Sequence, residues 1–174
     1  MPTAALTVIV SLRLFNISTA SPATIEQAQR AVAQIYAAIG VALEWNADPS
    51  ALLLIVRNEE PGDLRRAAQP VLGAAIHTEA GSPVAYVFYR RAASEADRHG
   101  ISRAIVLASA MAHEVGHLLL PVHGHARDGL MGACWDYPEF RRAASGELRF
   151  SAREGAAIRA SVVGRMESQA EMTR

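Results

Sequence analysis

The stretch from about Arg103 to Leu120 is apolar on nearly every face, and Ser102 stands before it as a candidate N-cap. A helix without a polar face must be buried on all sides, so the rest of the chain has to build layers around it. Within it sit His113, Glu114 and His117, whose burial is costly unless something pairs with them. Pro121 ends the helix within about a turn. The 174 residues give one domain, expected over residues 1–168 with a frayed tail at 169–174. At 51% hydrophobic the chain is too apolar for disorder, and its single cysteine, Cys134, makes no internal disulfide.

Charge narrows the function classes. The formal net charge is zero and the pI is near 7.0, which lacks the footprint of a polyanion binder, so no nucleic-acid partner is expected. All 17 basic residues are arginine, which excludes Schiff-base lysine chemistry. No apolar run approaches the ~20 residues that span a bilayer, so no membrane partner is expected either. Met1 to Phe15 has no basic segment ahead of its apolar residues and reads as a strand, not a signal peptide. The chain is expected to be a monomer.

The remaining pattern is of mixed type. Thr7 to Asn16 reads as a strand, and Ser21-Pro22 opens an amphipathic helix over Ala23 to Ile39 that Gly40 stops. Val41 to Trp45 and Leu52 to Arg57 read as short strands. Asn58 to Pro70 is a surface connection with a turn of helix around Leu64 to Ala68, Val71 to His77 a further strand, and Glu79 to Pro83 a turn. Val84 to Tyr89 is expected as a strand near the sheet edge, and Ala92 to Arg98 as a weak helix stopping at His99-Gly100. Pro121 to Tyr137 is a loop that something must tie down, and Ser151-Ala152-Arg153-Glu154 is a capping box for a C-terminal helix to about Met166.

His113-Glu114-Val115-Gly116-His117 is H-E-x-x-H on a helix. The i,i+4 spacing stacks both imidazoles on one face, where they can share a tetrahedral zinc ion. Glu114 lies about 100° round the helix, where a carboxylate takes the proton of a zinc-bound water and passes it to the leaving amine. A catalytic zinc site needs a third protein ligand, and the loop downstream offers His123, His125 and Asp128. His123 lies ten residues after His113 and Met131 eighteen after it.

These residues resemble the metzincin zinc peptidases, whose longer motif is H-E-x-x-H-x-x-G-x-x-H followed by a methionine turn. The positions of His123 and Met131 match matrix-metalloproteinase spacing, with Leu120 where that family has its glycine. The chain also resembles small bacterial metzincin-like proteins that read H-E-[IL]-G-H-L-L-L-G, then H-S-x-x-G-[IL]-M and a tryptophan. His113 to Leu120, His125 to Met131 and Trp135 follow that pattern, with Pro121 for its glycine and Ala126 for its serine. In this register the third ligand is His125; in the other it is His123.

The resemblance implies an α/β metzincin-like (zincin) domain: a twisted mixed sheet, two long helices, a methionine turn at Met131 and a C-terminal helix. It implies a zinc metalloendopeptidase with Glu114 as base, His113, His117 and His125 as ligands and a peptide or protein substrate, taken by strand addition along Val84 to Tyr89. Tyr137 either steadies a tetrahedral intermediate or anchors its loop. Cys134 reads as a small buried residue and not a fourth ligand, and His77 and His99 read as structural. The alternative from another class is a zinc-stabilised binding domain without turnover, in which four protein ligands close the site.

Overall fold

In a computed structural model of the chain, residues 8–61, 71–77, 83–121 and 124–172 are described. The five strands among them form one mixed sheet: β1 (Val8–Asn16), β2 (Val41–Trp45), β3 (Leu52–Arg57), β4 (Gly73–Ile76) and β5 (Val84–Phe88), in the order β2-β1-β3-β5-β4. The helices are α1 (Pro22–Ala37), α2 (Tyr89–His99), α3 (Arg103–Leu119), α4 (Tyr137–Ala144) and α5 (Ala152–Met172). The architecture is α/β.

The long strand β1 organises the sheet. Its first half pairs in parallel with β2, from Val8 against Val41 to Leu12 against Trp45, and its second half pairs in parallel with β3, from Leu12 against Leu52. Because β3 begins level with the end of β2, the short turn between them steps across β1 without a return helix. β5 then adds in parallel to β3, and β4 pairs antiparallel with β5. The strand expected at the rim is therefore one place inside it. β5 has both of its edges occupied, and among the described strands β4 is the outermost on that side.

One face of the sheet is the core. Val8, Val10, Leu12, Leu54, Val56, Ala85 and Val87 are buried there with α1 and α3, as period-two alternation requires. α1 starts as the sequence indicates, with Ser21 accepting from the Thr24 amide at 3.1 Å and Pro22 in the first turn, and it ends before Gly40 at φ 75°. Fourteen residues of α3 are buried, which the all-round apolar sequence demanded. The Tyr36 hydroxyl of α1 donates to Ala112 O in the middle of α3 at 3.1 Å, locking the two helices in register.

Three boundaries differ from the sequence reading. α2 starts at Tyr89, directly after β5, and stops at Gly100 with φ 65°. α4 was not expected; Asp136 and Glu139 form its capping box, with Glu139 accepting from the Asp136 amide at 3.2 Å and Pro138 in its first turn. α5 opens on the expected Ser151 and Glu154 capping box, with bonds of 2.7 and 3.2 Å, and continues to Met172. Its continuation past Met166 uses good helix formers such as Glu167 and Glu171. The turn of helix around Leu64 to Ala68, Thr7, and most of Glu79 to Pro83 lie outside the described residues.

Candidate metal centre

The last turns of α3 carry the site. Pro121 stops the helix, and Leu120 leaves it in an extended conformation, φ −79° and ψ 135°. The chain returns at Gly124, and the loop that follows is closed by its own backbone. Ala126 N donates to Met131 O at 2.8 Å, Gly132 N to Gly129 O at 3.1 Å, and Leu130 N to Arg149 O at 3.3 Å. Gly129 turns the loop at φ 78°, a conformation suited to glycine. This clasp holds Ala126 on Met131, with His125 meeting His117 and Met131 meeting Gly116 of α3.

His113, His117 and His125 converge. Their ring nitrogens meet within 4.8 Å of one another, with His117 Nε2 at 3.0 Å from His113 Nε2 and 3.2 Å from His125 Nε2. Ligands on a tetrahedral zinc at ~2.05 Å stand about 3.3 Å apart, close to the two distances from His117, and the group could hold a metal ion. His113 Nδ1 donates to Leu130 O at 2.6 Å, which puts the proton on Nδ1 and leaves Nε2 as a lone-pair donor. Burial pushes the His113 pKa down to about 4, against the smaller opposing effect of the Leu130 bond, so the ring is neutral at neutral pH.

Glu114 is 6% exposed, and burial raises its pKa to about 8. It lines the same cleft as the three histidines, a cavity of about 980 Å³ bounded by β4, α2, the start of α4 and the loop at Gly132 to Asp136. The edge strand passes directly over Glu114. A Cβ on Gly73 would lie 2.5 Å from Glu114 Cγ and 2.5 Å from Tyr86 O, so only glycine allows this approach. Met131 is buried beneath the histidine helix, where a Cβ on Gly116 would come within 2.8 Å of its sulfur. The motif's glycine is thus the seat of that methionine.

Of the two candidate third ligands, His125 joins His113 and His117, and His123 lies outside the described residues. Asp128 is exposed and stands apart from the group. Cys134 lines the cleft wall and is exposed, which corrects the expectation of a buried side chain; it is not among the three grouped ligands. Tyr137, 59% exposed at the start of α4, also lines the cleft. His99 ends α2, stacks on Phe140 with centroids 4.4 Å apart, and lies 3.5 Å from the Glu95 carboxylate.

The sequence reading missed one participant outright and gave two others no place in the cleft. Gly73 is the one it missed. Trp135 packs edge-on to His113, with centroids 5.6 Å apart at 86°. His77, read as structural, follows β4 into the cleft and bonds to His117 O at 3.1 Å. For Gly73 the available signal is a glycine inside a strand run, because it marks close backbone approach.

Among the described residues, no helix is long and apolar enough to cross a membrane. No family model matches the chain, and no curated protein matches it. Among solved structures, the chain is similar to one described as the GM1-bound form of the ECX AB5 holotoxin. The identity is 13%, the match covers 89% of this chain and 80% of that one, and the TM-score is 0.47.

Proposed function

We propose that this chain is a zinc-dependent endopeptidase on a metzincin-like plan. The observation that carries the reading is the meeting of three imidazole nitrogens, all within 4.8 Å of one another, in a cleft that also holds a buried carboxylate on the same helix as two of them. His113, His117 and His125 would hold the metal. Zinc, when bound, supplies Lewis acidity that polarises the scissile carbonyl and acidifies a water. Glu114 takes the proton from that attacking water and delivers it to the leaving amine. Its burial favours the proton-carrying form that the second half of this task requires.

The substrate side follows from β4. An extended peptide would pair with its outer edge, which no other described strand occupies and which borders the cleft along Gly73 to Ala75, so strand addition moves from β5 to β4. On this reading Met131 beneath Gly116 would be the methionine turn, and α5 the C-terminal helix, of the metzincin plan.

The test is a pair of measurements on Glu114→Ala and the native chain: zinc content, and cleavage of an unstructured protein such as casein. Zinc retained with cleavage lost supports the reading. Cleavage that survives in the variant removes Glu114 from its role. A native chain that binds zinc but cleaves neither proteins nor peptides is a zinc-stabilised binding domain.

A further inference from the structure

The carbonyl of His117 faces a position in the helix that supplies no amide. In a continuing helix it would accept from the amide four residues on, but that residue is Pro121, which has no N–H. The carbonyls on either side are satisfied differently. Gly116 O accepts from the Leu120 amide at 2.8 Å, and Leu118 O accepts from the Arg165 guanidinium of α5 at 2.8 Å. His117 O is met by the imidazole of His77, with Nε2 at 3.1 Å. A carbonyl oxygen only accepts, so His77 carries its proton on Nε2.

We propose that His77 is a positioning residue for the metal ligand His117, its Nε2–H standing in for the amide that Pro121 removes. The inference rests on the reading of the three histidines as a metal centre. Uncapped last-turn carbonyls favour fraying of a helix end, and a fraying last turn would carry the His117 ring with it. His77 closes that turn from outside. It also completes a second link between β4 and α3. At one end of the strand Gly73 lies against Glu114, and just past the other end His77 holds His117. The strand that borders the cleft is thereby fixed to the two helix residues that carry the base and a ligand.

The test is a mutant cycle of His77→Ala and Pro121→Gly, with His77→Gln as the variant that keeps an N–H of similar reach. Zinc affinity is read by chelator competition, and site geometry by the visible absorption of the cobalt-loaded protein. Outer contacts to metal ligands are worth about 10–100-fold in affinity. His77→Ala is expected to weaken zinc about 10-fold and shift the cobalt bands, and His77→Gln to restore most of both. In the Pro121→Gly background, where an amide is available again, His77→Ala is expected to cost less than about 3-fold. Equal losses in both backgrounds, failure of glutamine to rescue, or unchanged affinity in His77→Ala would each overturn the proposal. The native chain serves as the separate control: if it takes up neither zinc nor cobalt, the metal-centre reading fails by itself, before any His77 variant is considered.

Discussion

Gly73 lies against Glu114 so closely that a single added methyl group would sit 2.5 Å from the carboxylate's Cγ. The same methyl would meet Tyr86 O, a backbone atom of the neighbouring strand that cannot rotate away. The edge strand and the buried carboxylate are therefore adjusted to each other, and neither yields without moving the other.

Gly73→Ala should separate catalysis from metal binding. The Cβ either displaces β4 from β5 or pushes Glu114 out of line, while the three histidines, held by α3 and the loop after it, stay together. Cleavage is expected to fall by about 100-fold or more, the scale of a misplaced acid–base group, with zinc stoichiometry unchanged. Overpacking of this kind costs about 1–3 kcal/mol, which urea unfolding would read. Native-level cleavage in Gly73→Ala would show that the contact is not needed.

Gly116→Ala tests the floor of the site. Alanine is the better helix former by about 1 kcal/mol, so on propensity alone the change stabilises α3. Against that, its Cβ would stand 2.8 Å from Met131 Sδ and 3.0 Å from Phe150 Cε1, both in the buried core. Overpacking wins, and a net loss of about 1–2 kcal/mol is expected, with weaker zinc binding as Met131 and the adjoining Leu130 carbonyl shift away from His113. A gain in stability would mean that Met131 moves aside freely.

The parts of this site that were legible in the sequence are the local ones. H-E-x-x-H on a helix apolar all round announced both the buried helix and its two histidines, because periodicity and composition act over a few residues. The capping boxes differ in this respect. Ser151 to Glu154 stands before a clean helical run, whereas Asp136 to Glu139 is embedded among loop-forming residues, and α4 was hidden by them. Nothing local distinguishes β4 from β5 as the edge, since strand order depends on pairings between distant segments. Gly73 against Glu114 and His77 on His117 are likewise contacts between distant parts of the chain, each meeting a steric or hydrogen-bonding need that appears only after folding.

In the metal-free protein, Glu114 and His113 give opposite pH dependences. The folded chain holds a proton on Glu114 up to about pH 8, while the unfolded chain releases it near 4.5, so stability falls as pH rises across that window. His113 titrates near 4 when folded and near 6.5 when unfolded, so its contribution rises with pH between those values. The two oppose each other below pH 6.5, and Glu114 acts alone above it. Glu114→Gln, with chelator present, should therefore gain most over the native chain at pH 8, by a few kcal/mol, and little at pH 5. Urea unfolding at pH 5, 6.5 and 8 measures this; a difference independent of pH would place the Glu114 carboxylate in water.

Single alanine substitutions divide the loop histidines. His125 Nε2 stands 3.2 Å from His117 Nε2 and completes the three-nitrogen group. Its removal leaves two ligands on one helix face, too few for a catalytic zinc site, and should lower zinc affinity by at least about 100-fold. His113→Ala should do the same and, in addition, leave the Leu130 carbonyl without its 2.6 Å donor, so it is expected to unfold at lower temperature than His125→Ala. His123→Ala is expected to keep stoichiometric zinc and cleavage. Elemental analysis of the three variants after identical purification decides among them, and zinc lost from His123→Ala but kept in His125→Ala would reassign the third ligand.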